Sequence, residues 1–300
     1  MEEEMIRRYI PIVDEISLKY QYDHNIKHLL YLIIPAFIEK YGKSNERRVL
    51  DVFFKVKIEI REDNTALEEA YYTSIPYRRD GKIMTVHFIV LRKYSTNSLI
   101  QLLDNLVHEF NHAIHSVRKE VEIMGDVFSL RTGLTRCYYY TSNLEVVRKE
   151  NTYLLEEILN TIQTEEIINR IKKYSSINDR EIMNTVWAIN HEVLGNYQSK
   201  SYYLETVLFQ HILKNRTFTS TLNHLRLSGD IDDIEGWFDN ITGVVHSYQN
   251  LNDYLVKIMA LEMELVKRKY FKGMVISKIR NLLDKCFLII DTFNQNCHYK

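Results

Sequence analysis

The sequence predicts an α+β chain in which a first half holding a small antiparallel or mixed sheet precedes a second half built of helices. Three observations carry that expectation. All three prolines, Pro11, Pro35 and Pro76, fall in the first quarter, so none interrupts the rest of the chain. Residues 54–61 alternate apolar and polar side chains with period two, as a half-buried strand does. Beyond residue 150, apolar positions recur with helical spacing.

Taken in order, residues 71–77 and 82–91 flank Arg79-Asp80-Gly81, and an Asp-Gly pair supplies the positive φ values of a tight hairpin turn. With residues 54–61 they make a sheet of at least three strands. Ser95, Thr96 and Asn97 can each cap a helix start. After them, Leu99, Leu102, Leu103, Leu106, Phe110, Ala113, Ile114 and Val117 mark one helical face. A second hairpin is expected across residues 127–140 around Gly133, and a long helix from Asn151-Thr152. Helical periodicity follows in residues 154–171, 180–193, 202–213 and 251–269. Neither a repeat nor a low-complexity linker separates the halves, so residues 1–150 and 151–300 are expected to share a cleft.

Bulk properties narrow the function. Lys+Arg 39 against Asp+Glu 40 leaves a net charge of -1 without a basic block, which gives a nucleic-acid or membrane-surface role no electrostatic footprint. Lys267-Arg268-Lys269 precedes Gly273 at the end of an apolar-periodic stretch, where cations complement the carbonyl end of a helix. The start, Met1-Glu2-Glu3-Glu4, is acidic where a secretory signal is basic. The longest apolar run, residues 29–37, holds Pro35 and is far shorter than the roughly 20 residues that cross a bilayer. Cys137, Cys286 and Cys297 are odd in number and lack C-x-x-C spacing, against both a disulfide framework and a thiolate zinc site. A cytoplasmic protein with free thiols is expected.

Chemistry concentrates in His108-Glu109-Phe110-Asn111-His112. Four residues apart on a helix, the two histidines are separated by roughly 40° of rotation and about 6 Å of rise, so both imidazoles can reach one zinc ion. Glu109, about 100° round from His108, can stand beside the open coordination position, take a proton from zinc-bound water and later deliver it to a leaving amine. Zinc draws the pKa of that water toward 7. By chance, H-E-x-x-H arises about once in thirty chains of this length and composition, so context matters. His191-Glu192 shows the contrast, because Gly195 stands where a second histidine is required.

Zinc needs a third protein ligand, with water completing a catalytic site. The H-E-F-N-H motif followed by Leu154-Leu155-Glu156-Glu157-Ile158-Leu159-Asn160-Thr161 resembles the gluzincin, thermolysin-like group of zincin metallopeptidases, in which a glutamate from a second helix completes the site. That resemblance implies a zincin-like part over residues 1–150, a helical part supplying the third ligand, Zn2+ as cofactor, a peptide or protein as substrate and Glu157 as the ligand. Glu156, about 100° away, cannot face the same ion as Glu157, and the apolar positions alone do not choose between them. Thr161 matches the place where the family often has an acid orienting a zinc-bound histidine. The departure is spacing: 44 residues, 113 to 156, lie between His112 and Glu157, more than is typical, with the 127–140 hairpin as the insert. A metzincin pattern fails, since His115 stands where glycine is needed and Arg118 where histidine is. His115 is expected at the second shell or the surface, because a fourth protein ligand would close the site.

An oxyanion-holding tyrosine or histidine, which the resemblance also implies, has too many candidates: Tyr140, Tyr153, His191, Tyr202 and Tyr203. Residues 230–236 fail as a calcium loop, offering Ile234 and Glu235 where an oxygen ligand and a glycine are required; a helix start into Trp237 and Phe238 is expected. The 82–91 strand is expected to serve as an edge on which an extended peptide pairs. Two rivals stand beside a peptidase: a zinc hydrolase acting on another bond, and a helical binding or scaffold protein without catalysis.

Overall fold

The computed structural model describes residues 2–62, 69–120, 127–149, 153–174, 179–198, 216–228, 234–267 and 272–297. It is mixed helix and sheet with a helical C-terminal part, as the sequence predicts. The chain forms two compact units: one from residues 1–116, 140–145 and 162–199, the other from 117–139, 146–161 and 200–300.

The first unit opens with three helices, α1 (Glu2–Tyr20), α2 (His24–Tyr41) and α3 (Glu46–Lys55). Two of the prolines taken as signs of broken structure lie inside them, Pro11 in α1 and Pro35 in α2. Pro11 occupies an exposed face, so water can solvate the carbonyl that its missing N–H leaves behind. Asp23 caps α2 by accepting from the Ile26 N–H at 2.9 Å. From Leu29 to Ile38 every residue of α2 is buried, so the longest apolar run is a core helix; no helix among the described residues is long and apolar enough to cross a membrane.

Strands β1 (Val56–Arg61), β2 (Ala70–Arg79) and β3 (Lys82–Arg92) follow. The expected hairpin is present: Arg79 pairs with Lys82, and Asp80 and Gly81 take φ values of 51° and 74°. The sheet is mixed, because β1 runs parallel to β3 while β2 runs antiparallel to it. Its order is β1-β3-β2, which corrects the placing of residues 82–91 at an edge. From His87 on, β3 is bonded on both sides, since β1 reaches it through a non-local parallel pairing that a local pattern does not reveal, while residues 82–86 pair with β2 alone among the described residues.

Helix α4 (Leu99–Ile114) carries the motif. Its cap is Ser98, whose hydroxyl accepts from the Gln101 N–H, and not the three residues before it. Ser95 and Thr96 are turned back instead, their hydroxyls donating to the carbonyls of Arg92 and Lys93. Glu192, at the end of α6 (Arg180–Glu192), adds a second cap by accepting from Ser98 Oγ at 3.1 Å and the Ile100 N–H at 3.2 Å. At the other end, Arg48 donates to the Ile114 carbonyl at 2.7 Å.

In the second unit, β4 (Ser116–Glu120), β5 (Val127–Thr132), β6 (Thr135–Tyr140) and β7 (Val146–Lys149) form a sheet in that order. The predicted 127–140 hairpin is β5–β6, turning at Gly133 with φ 58°. Helix α5 (Tyr153–Ile171) gives its residues up to 161 to this unit and the remainder to the first. Further helices are α7 (Arg216–Ser228), α8 (Ile234–Thr242), α9 (Ser247–Lys267) and α10 (Lys272–Cys297). Phe218, Phe238 and Phe293 hold three of them together, with ring centroids 5.1 Å apart for Phe218–Phe293 and 4.8 Å for Phe238–Phe293. The predicted 202–213 helix lies outside the described residues.

Candidate metal centre

Why α4 is held so firmly is visible in the motif. Phe110 packs on Phe53 of α3 with ring centroids 4.1 Å apart, and Phe53 meets Phe37 of α2 edge-on. Asn111, fully buried, accepts from the Tyr41 hydroxyl at 2.8 Å and donates through Nδ2 to Thr164 Oγ1 at 3.3 Å. Those bonds join α4 to α2 and to the C-terminal half of α5 within the first unit. The two residues between Glu109 and His112 thus anchor the helix, one by packing and one by hydrogen bonds.

On that helix the rings of His108 and His112 lie 5.0 Å apart at 73°. Their ligand nitrogens and a carboxylate oxygen of Glu157 all fall within 4.8 Å of one another, and all three residues are buried. Small side-chain rotations can close that spread to the roughly 3.3 Å between ligands bonded to a tetrahedral zinc at about 2.0–2.1 Å. Among the described residues this is the only group of three or more histidine, cysteine or acidic side chains so arranged. Two imidazole nitrogens and one carboxylate oxygen are a donor set that zinc accepts, and with no fourth such group among the described residues a position would remain for water. The residues present therefore fit the ion the motif implies. Glu109 is buried beside them at 6% exposure.

His115 is not part of that group and is not at the surface. It is fully buried, and its Nδ1 lies 2.7 Å from the Asn111 carbonyl, which makes that nitrogen the donor.

Glu156 and Glu157 part company. Glu156 faces Arg226 of α7, accepting from Nε at 2.8 Å and from Nη2, and it also accepts from the Leu134 N–H at 2.8 Å. Glu157 faces the histidines. Thr161 is fully buried, and its hydroxyl has no hydrogen-bond partner among the described residues, so it does not orient a histidine.

Of the oxyanion candidates, Tyr140 is 44% exposed, and His191 is exposed and packed against Trp187. The side chain of Tyr153, and Tyr202 and Tyr203 entirely, lie outside the described residues. Sequence reasoning missed Tyr41, Asn111 and Thr164, and also Arg226. A tyrosine and an arginine, each in the last turn of its helix, give no local signal of burial, since each depends on a partner far along the chain.

No protein-family model, curated protein or solved structure matches the chain.

Proposed function

We propose that the chain is a zinc-dependent hydrolase of peptide bonds, in which His108, His112 and Glu157 hold the metal and Glu109 moves the proton. The observation that carries this reading is the convergence of two buried imidazoles one helical turn apart with a buried carboxylate from another helix. A bound zinc supplies Lewis acidity, drawing the pKa of water toward 7 and polarising a carbonyl. Glu109, next to His108 and about 100° round α4, is placed for its carboxylate to accept a proton from the attacking water and return it to the leaving nitrogen.

A peptide substrate is favoured by the sheet. β2 is an edge strand among the described residues and packs against α4, the helix that carries the histidines. An edge strand offers a row of backbone donors and acceptors to an extended chain, fixing its register through main-chain bonds. Pro76 lies in β2 and has no N–H to give, a position that proline tolerates at edges.

The test is metal content combined with a peptide library. Wild-type protein should hold zinc and cleave peptides, whereas Glu109→Gln should keep the zinc and lose about 10²- to 10⁴-fold in rate, the usual worth of a positioned acid–base group. Zinc retained without cleavage of any peptide would move the reading to another bond. Absence of zinc from purified protein, with no effect of chelator, would replace it with a scaffold role.

A further inference from the structure

We propose that Glu156 is a positioning residue for the metal ligand next to it: its carboxylate, clamped by Arg226 and the Leu134 N–H, fixes the rotation of α5 at which Glu157 leaves the helix. The inference rests on the zinc reading above.

Adjacent positions on a helix differ by about 100°, so the directions of Glu156 and Glu157 are set together, and turning one turns the other. Glu156 is held from two sides. Arg226 offers a two-pronged guanidinium, Nε at 2.8 Å and Nη2, while the β5–β6 turn adds the Leu134 N–H at 2.8 Å. A planar fork of this kind fixes direction as well as distance, which a lysine does not. The pair is dry, with the side chains of Arg226 and Glu156 at 0% and 2% exposure. Arg131 of β5 ties the same elements again, donating to the carbonyls of Leu225 at 3.0 Å and Arg226 at 3.3 Å.

Gly133 shows how tightly the turn closes on this carboxylate. A Cβ there would stand 2.0 Å from the Glu156 carboxyl carbon, and its φ of +58° already favours glycine. The β5–β6 turn is thus shaped to bring a backbone N–H onto Glu156.

Stability alone explains this poorly. A buried ion pair costs so much desolvation that apolar residues of equal volume often serve as well, so an ionic clamp here supplies direction more than energy. Removing the charge of Glu156 would also leave a buried guanidinium beside α5 without this carboxylate.

The experiment is zinc affinity by chelator competition, with the visible spectrum of the Co2+-substituted full chain as a direct readout of the ligand set. Glu156→Gln should stay folded by circular dichroism, bind zinc about 10- to 100-fold more weakly, as outer positioning groups do, and change the cobalt spectrum. Arg226→Lys keeps a charge for Glu156 but not the fork, and should give a smaller loss in the same direction. It decides the matter if Glu156→Gln does not fold. Folded variants with wild-type affinity and an unaltered cobalt spectrum would overturn the positioning role alone. Wild-type protein that binds no zinc would overturn the metal reading and this inference with it.

Discussion

Two helices of this protein carry histidines one turn apart, and only one of them has the makings of a metal centre. On α4, His108 and His112 are both buried and meet the carboxylate of Glu157. On α2, His24 and His28 have rings 3.8 Å apart, closer than the 5.0 Å of the α4 pair, yet His24 is exposed. The carboxylate near His28 belongs to Glu181, whose side chain is 70% exposed and 3.2 Å from Nε2. Spacing at i, i+4 is thus insufficient by itself. What separates the pairs is a buried carboxylate converging from another element, in a site dry enough that a cation held there would not simply be hydrated.

The sharpest way to break this comparison is to remove each pair. Replacing His108 and His112 by alanine should abolish stoichiometric zinc binding, while replacing His24 and His28 should leave it at the wild-type value, both read by elemental analysis after gel filtration. Zinc lost equally from the two double variants would erase the distinction. A smaller effect follows by linkage. With free zinc about 1,000-fold above its Kd, binding to the folded form adds about 4 kcal/mol. A strong chelator should therefore lower the melting temperature of the wild type and of the α2 double variant by several degrees, and leave the α4 double variant unmoved.

How far the site could be read from sequence follows the same division between local and distant information. The motif helix, the Asp80-Gly81 hairpin, the Gly133 hairpin and the start of α5 were legible because each is written in a short window, by periodicity or by a residue that tolerates positive φ. The choice of Glu157 over Glu156 came from the resemblance alone, because the apolar positions do not make it. In the structure it is made by Arg226, 70 positions away, and by Leu134, 22 positions away, which occupy the first carboxylate and leave the second to the histidines. The order of the first sheet was hidden for a like reason, since β1 joins β3 by a parallel pairing across the intervening β2. The three N-terminal helices were obscured by weighing prolines as breakers. Pro11 lies on a solvated face of α1, where water can take the carbonyl that its missing N–H leaves behind.

The weakest difference between the two histidine pairs concerns pH, and it belongs to α2. Burial, the largest influence, holds His28 below the ordinary 6.5, with the neighbouring His24 and Lys27 acting in the same sense and Glu181 and Asp179 opposing them. A histidine lowered in the folded state favours folding while neutral. As pH falls through 6.5 the unfolded chain takes up the proton first, so stability present above 6.5 is lost from there down to the lowered folded value. Melting temperatures measured between pH 7.5 and 5.5 should therefore fall more steeply for wild type than for His28→Gln. A steeper fall in the variant would mean that Glu181 outweighs burial and the pair behaves as an ion pair. The exposure of Glu181 argues against that, because water screens a carboxylate on the surface far more than it relieves an imidazole packed beneath it.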